Sequence, residues 1–410
     1  MTTITADVAI QPRRSFQEVW VISLGHALTH WYPATFYLLL PLIGKELGLS
    51  YSEIGAVLTC QYLAGAIANI PGGIFVDTVG RKGLLMAASL FWIGFPYLIM
   101  GFSHTYWMFL ACATLVGIGN NLWHPSAIPW LANRFPQRKG LVMSIHGMGG
   151  NVGDAVAPLV VGALLGLLNW RSVVLINVVP GVLLAAFTLI YLGRRQNGEA
   201  GDHAGAAPAA ISAGERLRMF GALLKNRALI TLAAGSAFRT MTQGALLTFL
   251  PLYLARVMDY PLFWIGACMF ALQAGGFVAA PIAGHMSDRV GRRQIILSSM
   301  AMSAVVIFLM LFAGGTGWFV MFVSVLGFFL FAVRAVLQAW LLDATPPAMG
   351  GSAIGLLFAS QAFGQAVGPV SAGIVADHYG LMGAFYFLAG TIVIANFLVF
   401  VTPAGLMKHD

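Results

Sequence analysis

The sequence GGIFVDTVGRKG at residues 72–83 returns as AGHMSDRVGRRQ at residues 283–294. Both copies contain the pattern G-x-x-x-D-x-x-G-R-K/R, and their aspartates, Asp77 and Asp288, are 211 residues apart. Two pairs of prolines repeat at nearly the same offset, namely Pro41 with Pro251 and Pro158 with Pro369. Three markers at one offset indicate that the chain is a duplicated unit.

The composition around these markers excludes a water-soluble protein. Of the 410 residues, 59% are hydrophobic and only 9% are charged, whereas a soluble domain has about a quarter of its residues charged. A soluble enzyme and a nucleic-acid-binding protein are therefore excluded, despite the net charge of +8. The apolar runs have the length of membrane-spanning helices, about 20 residues, and lack the alternation of membrane β-strands. The sequence predicts an all-α membrane protein.

Charged or Pro/Gly-rich breaks divide the chain into twelve predicted spans: 18–43, 53–76, 83–101, 106–131, 140–166, 171–193, 227–254, 263–286, 293–313, 317–342, 351–375 and 382–403. A polar stretch rich in Ala and Gly separates the sixth span from the seventh. The predicted domains are an N-terminal tail (1–17), a six-helix bundle (18–193), a linker (194–226), a second six-helix bundle (227–403) and a C-terminal tail (404–410).

The basic residues predict the orientation. Seventeen of the 22 Lys and Arg residues fall on the side of the N-terminus, and only Lys45, Arg171 and Arg256 fall on the opposite side. Cytoplasmic loops of membrane proteins carry the excess of Lys and Arg. We therefore expect both termini and the linker in the cytoplasm. The basic charge follows from this topology, so no nucleic-acid partner is expected.

The duplicated loop pattern resembles the signature of the major facilitator superfamily of secondary transporters, and the resemblance covers essentially the whole chain. It implies twelve transmembrane helices in two pseudo-symmetric six-helix bundles, with the substrate site between the halves near the midplane. It also implies that Asp77, Arg81, Asp288 and Arg292 form conformational gates at the cytoplasmic rim. The alternative for these four residues is an ordinary pair of basic loops.

Two further stretches resemble the fosmidomycin-resistance branch of drug exporters. They are the His124-Pro125 pair in the fourth span and the Gly149–Gly153 run in the fifth, together with His26 in the first span. The chain departs from that branch where Thr29 and His30 replace an Asn-Asp pair, and where Asp154 is an additional acid. Export is the direction that this resemblance implies, although uptake of a carboxylate with protons would use the same residues.

Three charged residues lie deep in predicted spans, where a charge costs roughly 2.5 kcal/mol or more. Asp154 is the only deep acid, and it is either a proton-coupling carboxylate or the partner of an arginine from the second half. The deep cations are Arg239 and Arg334. A guanidinium binds carboxylate or phosphate through two parallel hydrogen bonds, so the pair indicates an anionic substrate. The alternative is that both bond to helix carbonyls or to Asp154.

Histidines form a second group in the first half. His26 and His30 are four residues apart and share a helix face, while His124 and His146 lie in the fourth and fifth spans. Histidine titrates near neutral pH and is also a common ligand of transition metals. A proton relay and a metal site made of His26, His30, His124 and Asp154 are both open, although two arginines in one cavity would repel a bare cation. His146 has the further alternative of a packed, hydrogen-bonded side chain.

We therefore predict a proton-coupled transporter that exports a small organic anion or an anionic drug by alternating access. The predicted substrate-binding residues are Arg239, Arg334, His26, His30, Tyr32, His124, Asn121, Gln243 and Gln338. The predicted proton-coupling residues are Asp154, His30 and His124.

We predict a multi-pass protein of the bacterial cytoplasmic membrane that works as a monomer. The partners are a small-molecule substrate, protons and the lipid bilayer. No cofactor is expected, since no phosphate-binding G-x-x-x-x-G-K-[ST] loop is present. Two alternatives remain: a transporter of a transition metal or metal chelate, and a membrane sensor or enzyme that reuses a transporter fold.

Overall fold

A computed structural model describes residues 16–197, 221, 225–313, 316–345 and 350–403. These ranges contain twelve long α-helices: α1 (Gln17–Glu46), α2 (Tyr51–Val79), α3 (Lys82–Met100), α4 (Tyr106–Arg134), α5 (Lys139–Leu165), α6 (Trp170–Asn197), α7 (Arg227–Arg256), α8 (Leu262–Val290), α9 (Arg292–Ala313), α10 (Gly317–Asp343), α11 (Gly350–Tyr379) and α12 (Leu381–Phe400). A short 3-10 turn, Pro136–Arg138, connects α4 to α5. The prediction of an all-α fold is confirmed.

The glycines of the duplicated pattern end helices. Gly80 follows the last residue of α2 with φ = 67°, and Gly291 follows α8 with φ = 111°. Residues with a Cβ adopt such positive φ values only at a cost, and the left-handed conformation of Gly80 is a common helix stop. The pattern therefore contains the chain reversal between two helices in each half.

The packing of the helices repeats as the sequence does. In the first half α1 packs against α5, α2 against α4, and α3 against α4 and α6. In the second half α7 packs against α11, α8 against α10, and α9 against α10 and α12. The halves contact each other through α2 with α11 and through α5 with α8. Each listed pair of the first half has its counterpart six helices later in the chain, and the two contacts between the halves correspond to each other.

Eight of the described helices, α3, α5, α6 and α8 to α12, are long and apolar enough to cross a membrane. The other four, α1, α2, α4 and α7, have 29 or 30 residues. At about 1.5 Å per residue this length exceeds a hydrocarbon core of about 30 Å. Membrane crossing by these four helices stays a prediction.

The two halves meet at one end of the bundle. We call the end that holds the α2–α3 and α8–α9 turns the inner end, and the opposite end the outer end. At the outer end, a Cβ built at Gly55 would lie 2.3 Å from the carbonyl oxygen of Pro369, and one at Gly266 would lie 2.2 Å from that of Pro158. The halves are therefore joined at the outer end, and we call the space between them on the inner side of these contacts the central cavity.

Candidate functional site

Glycines bring α1 and α5 together at the centre of the first half. A Cβ built at Gly149 would lie 2.2 Å from the Ser23 carbonyl oxygen, and one at Gly153 would lie 2.0 Å from that of Ala27. A Cβ at Gly150 would lie 2.9 Å from Cε1 of His26. Such distances leave no room for a side chain, so the Gly149–Gly153 run is what allows the histidines of α1 to reach α5.

His30 and Asp154 form a hydrogen-bonded pair across this contact. Nδ1 of His30 lies 2.9 Å from Oδ2 of Asp154, and the two side chains are 27% and 32% exposed. Both belong to the first half, so the alternative pairing of Asp154 with an arginine of the second half is not what the structure contains. The pair combines two titratable groups in one hydrogen bond and is reachable from the cavity.

His26 lies at the centre of a hydrogen-bonded chain. Its Nδ1 donates to the carbonyl oxygen of His146 at 2.6 Å, and its Nε2 lies 3.0 Å from Nε2 of His124. A carbonyl only accepts, so the proton of neutral His26 is on Nδ1. Its Nε2 is then an acceptor, and the hydrogen-bond network assigns the donating proton to Nε2 of His124. The chain is therefore directional when both rings are neutral.

The geometry favours this hydrogen-bonded chain over a metal site. One ring nitrogen from each of His26, His124 and His146 lies within 4.8 Å of the other two, a set that differs from the predicted His26, His30, His124 and Asp154. However, the rings of His26 and His146 are stacked at 4.0 Å with an interplanar angle of 13°. Imidazole binds a metal in the plane of the ring at about 2.0 Å, and two stacked rings direct their lone pairs side by side rather than at one point. Metal binding stays a prediction without support from the geometry.

The two deep arginines have different surroundings. Arg239 on α7 is only 1% exposed and donates through a terminal nitrogen to the Leu330 carbonyl oxygen at 3.0 Å. It is therefore bound to a helix carbonyl, as the alternative interpretation has it. Arg334 on α10 is exposed and has no hydrogen bond or ion pair with any residue that the structure describes. It lies close enough to His124 and Arg239 to repel positive charge on both.

Comparison with known proteins identifies the family. The sequence model of the Major Facilitator Superfamily matches residues 22–280 and 264–409. The chain belongs to the major facilitator superfamily. It is 24% identical to a phosphoglycerate transporter protein of Salmonella typhimurium strain LT2, over 97% of this chain and 91% of the relative. It is also 24% identical to the fosmidomycin resistance protein of Escherichia coli K12, over 89% of this chain and 88% of that relative.

Solved structures support the fold of this major facilitator protein. A bacterial homolog of the human lysosomal transporter Spinster, in an inward-facing and unoccupied conformation, superimposes with a TM-score of 0.77 at 15% identity, covering 97% of both chains. The matched relatives and structures are transporters. The protein is therefore a multi-pass membrane transporter and not an enzyme.

The remaining predicted binding residues of the transporter fall into three groups. Gln243 on α7 and Gln338 on α10 are half-buried. Tyr32 is fully buried, and its hydroxyl donates to the Asn177 carbonyl oxygen on α6 at 2.7 Å. It presents nothing to a substrate in this conformation, and the structure gives its predicted role no support. The side chain of Asn121 lies outside the described residues.

The gating prediction for the transporter can be examined in the second half. A terminal nitrogen of Arg292 contacts Asp288, and its Nε donates to Asp343 at 3.1 Å. Arg292 thereby ties the inner ends of α8 and α10 to the start of α9. In the first half Arg81 is exposed, while the side chain of Asp77 lies outside the described part of the chain. The gating role of all four residues stays a prediction.

Two groups at the centre of the transporter were not among the predicted site residues. The hydroxyls of Tyr37 and Tyr62 are 2.7 Å apart, and both lie within electrostatic range of Asp154. The other group is His146, whose buried ring nitrogens have no partner among the described residues. The sequence does contain a signal for Tyr37, because it follows His30 by seven residues and so lies on the same face of α1.

Proposed function

We propose that the protein binds a small organic anion at Arg334 and moves it across the bacterial cytoplasmic membrane by alternating access. The observation that carries this proposal is the exposed guanidinium of Arg334, which lies within electrostatic range of His124 and has no acidic partner in the described chain. Charges inside proteins are normally paired. The acid near this site, Asp154, is held by His30, so an anionic substrate is the natural partner of Arg334.

The printed name of one relative supports an anionic substrate. The Salmonella protein is a phosphoglycerate transporter, and phosphoglycerate is an anion. Similarity over nearly the whole of both chains makes a related substrate class a reasonable expectation for this protein. Arg239 would then act indirectly, because its positive charge, fixed against the Leu330 carbonyl, adds to the positive potential of the cavity.

Proton coupling would operate through His30 and Asp154. A proton added to this pair makes the cavity more positive and strengthens the binding of an anion at Arg334. By linkage, a bound anion strengthens proton binding to the same extent. This electrostatic argument favours movement of anion and proton in the same direction, which is the uptake alternative. Export, which the resemblance to drug exporters implies, stays a prediction.

The first test is thermal unfolding of the purified protein in detergent, with panels of phosphorylated and carboxylated anions. A ligand that binds the folded state raises the midpoint by mass action. We expect stabilisation by at least one anion, and we expect it to disappear in Arg334→Ala but to persist in Arg227→Ala. The control removes one exposed charge at the start of α7. Stabilisation by Zn²⁺ or Ni²⁺ alone, lost in His26→Ala, would overturn the proposal in favour of the metal alternative.

Direction and topology need separate measurements. Proteoliposomes loaded with the stabilising anion and given a pH gradient of either sign show whether anion and proton move together or in exchange. We also propose that the protein works as a monomer with both termini in the cytoplasm. Labelling of single cysteines at the two termini in intact cells and in inverted vesicles would test the orientation, and the mass in nanodiscs would test the monomer.

A further inference from the structure

The first turn of α2, at the outer end, is capped by the other half of the molecule. Oδ1 of Asp377, on α11, accepts from the backbone N–H of Tyr51 at 2.7 Å, and Oδ2 accepts from that of Ser52 at 3.0 Å. The first N–H groups of a helix have no partner within the helix. The next one, of Glu53, donates to the Ser50 hydroxyl at 3.2 Å. The second half thus supplies two caps and the first half supplies one.

A second charged residue of the second half reaches the same turn. The guanidinium carbon of Arg256, at the end of α7, lies 5.5 Å from the centre of the Tyr51 ring. A cation above an aromatic face is attracted by the ring, and a carboxylate at a helix N-terminus is attracted by the helix dipole. Asp377 therefore binds the backbone of Tyr51, and Arg256 contacts its ring.

The equivalent contact between α5 and α8 lacks these groups. The backbone approach is the same, since Gly55 meets Pro369 as Gly266 meets Pro158. However, α8 begins after Pro261 without a side-chain cap, and the residue 211 positions before Asp377 is Gly166. Within the described chain, the polar cap is confined to one of two backbone contacts that are otherwise alike.

We infer that Asp377 and Arg256 are gating residues that hold the outer end closed, an inference that rests on the proposed alternating access. Opening the outer end separates α2 from α11. It therefore breaks the hydrogen bonds that the Asp377 carboxylate accepts from two backbone amides in the closed state. Removing a helix cap changes an equilibrium by about fivefold. Loss of the Asp377 side chain therefore raises the fraction of molecules open at the outer end by about that factor.

Electron–electron double resonance on the full-length protein in nanodiscs tests this inference. The three native cysteines are replaced, and spin labels are attached at Leu167 and Trp318, which are exposed at the outer end of each half. We expect a longer distance to gain population about fivefold in Asp377→Ala, and to gain less in Asp377→Asn and Arg256→Ala. The control is Glu53→Gln, which alters the same helix turn. Within the described chain, the Glu53 side chain hydrogen-bonds only with Ser50 of its own half.

The outcomes separate the gate from the proposed function. The wild-type protein is also measured at two pH values and with 3-phosphoglycerate as a probe anion. One outcome is that the wild type gains population at the longer distance under any of these conditions while Asp377→Ala has the same distance distribution as the wild type in every condition. That result would overturn the gating role of Asp377 and leave alternating access supported. A single short distance in every sample would overturn both. A gain in Glu53→Gln equal to that in Asp377→Ala would show that only the stability of the turn matters, which also overturns the gate. Cooperative thermal unfolding of each variant confirms that it is folded.

Discussion

The α1–α5 contact and the α7–α11 contact have the same close backbone approach but different side chains. A Cβ built at Gly153 would lie 2.0 Å from the Ala27 carbonyl oxygen, and one at Gly364 would lie 2.0 Å from that of Ala237. These anchors match the halves position by position. Where the first half has His26, His30 and Asp154, the second half has Ser236, Thr240 and Gln365. The side-chain amide of Gln361 donates to the Ser236 hydroxyl at 2.8 Å, so this hydrogen bond joins two neutral groups.

A similar exchange occurs between α4 and α10. Gly117 meets the Gln61 carbonyl oxygen as Gly327 meets that of Leu272, both at 2.0 Å from a built Cβ. This match places His124 at the position of Arg334. One repeat therefore has a titratable group where the other has a permanent charge. If the proposed function holds, proton exchange belongs to the first half and anion recognition to the second.

Arg334→Ala gives the largest expected effect, because it removes the permanent charge that the second half has at the position of His124. Hydrogen bonds to a charged group contribute about 1.5–3 kcal/mol, so we expect anion affinity to fall by roughly tenfold to a hundredfold. Arg334→Lys should lose less, since it keeps the charge and loses only the fork of donors. Binding is measured by titration calorimetry or by thermal shift against anion concentration. Affinity equal to that of the Arg227→Ala control would assign recognition to other residues.

Asp154→Asn tests the titratable pair of the first half. The amide keeps the shape and an oxygen acceptor for His30 but cannot ionise, so we expect anion exchange to continue while the dependence of transport on the pH gradient disappears. The measurement is proteoliposome uptake with and without a gradient. Gln365→Asn, at the matching position, should leave the coupling intact. Full coupling in Asp154→Asn would move the proton site elsewhere.

Gly153→Ala and Gly364→Ala sharpen the comparison at the level of the backbone. Each added methyl meets a carbonyl oxygen 2.0 Å away, and overpacking typically costs about 1–3 kcal/mol. We expect the two variants to lower the thermal midpoint by similar amounts. Gly147→Ala is the control on α5, because a Cβ there meets nothing within 4 Å. A large drop in one variant alone would show that the two contacts are not equivalent.

Tyr37→Phe gives the smallest expected effect. The matching residue in the second half is Leu247, so the hydroxyl pair of Tyr37 and Tyr62 is a feature of the first half only. Loss of one hydrogen bond in a buried pair costs about 1 kcal/mol and should lower the thermal midpoint slightly. Tyr386→Phe, at an exposed tyrosine, should leave it unchanged. Equal midpoints in the two variants would mean that the pair contributes nothing to stability.

The fold could be predicted from the sequence because it depends on short-range features. The duplicated loop pattern, the near absence of charge and the length of the apolar runs each report on local chemistry, and the helices follow from them. The deep residues could be found for the same reason, since a charge such as Asp154 or Arg334 stands out in an apolar run.

The pairing of these residues could not be predicted, because it depends on how helices are rotated against one another. His30 and Asp154 are 124 residues apart, and no spacing rule connects them. Arg239 and Arg334 look alike in sequence, yet Arg239 is buried against the Leu330 carbonyl and Arg334 is exposed. Tyr32 is predicted to bind substrate, but its side chain lies against α6, where its hydroxyl donates to the Asn177 carbonyl oxygen.

The packing of α1 against α5 has a consequence for synthesis of the protein. The ribosome must add more than 100 residues after His30 before Asp154 exists, which takes roughly 10 s at about 5–20 residues per second. During that interval the histidine-bearing face of α1 has no carboxylate partner, and it must wait at the insertion machinery or in contact with other early helices. We therefore expect nascent chains that end before α5 to be degraded faster than chains that end after it, a difference that pulse labelling would measure.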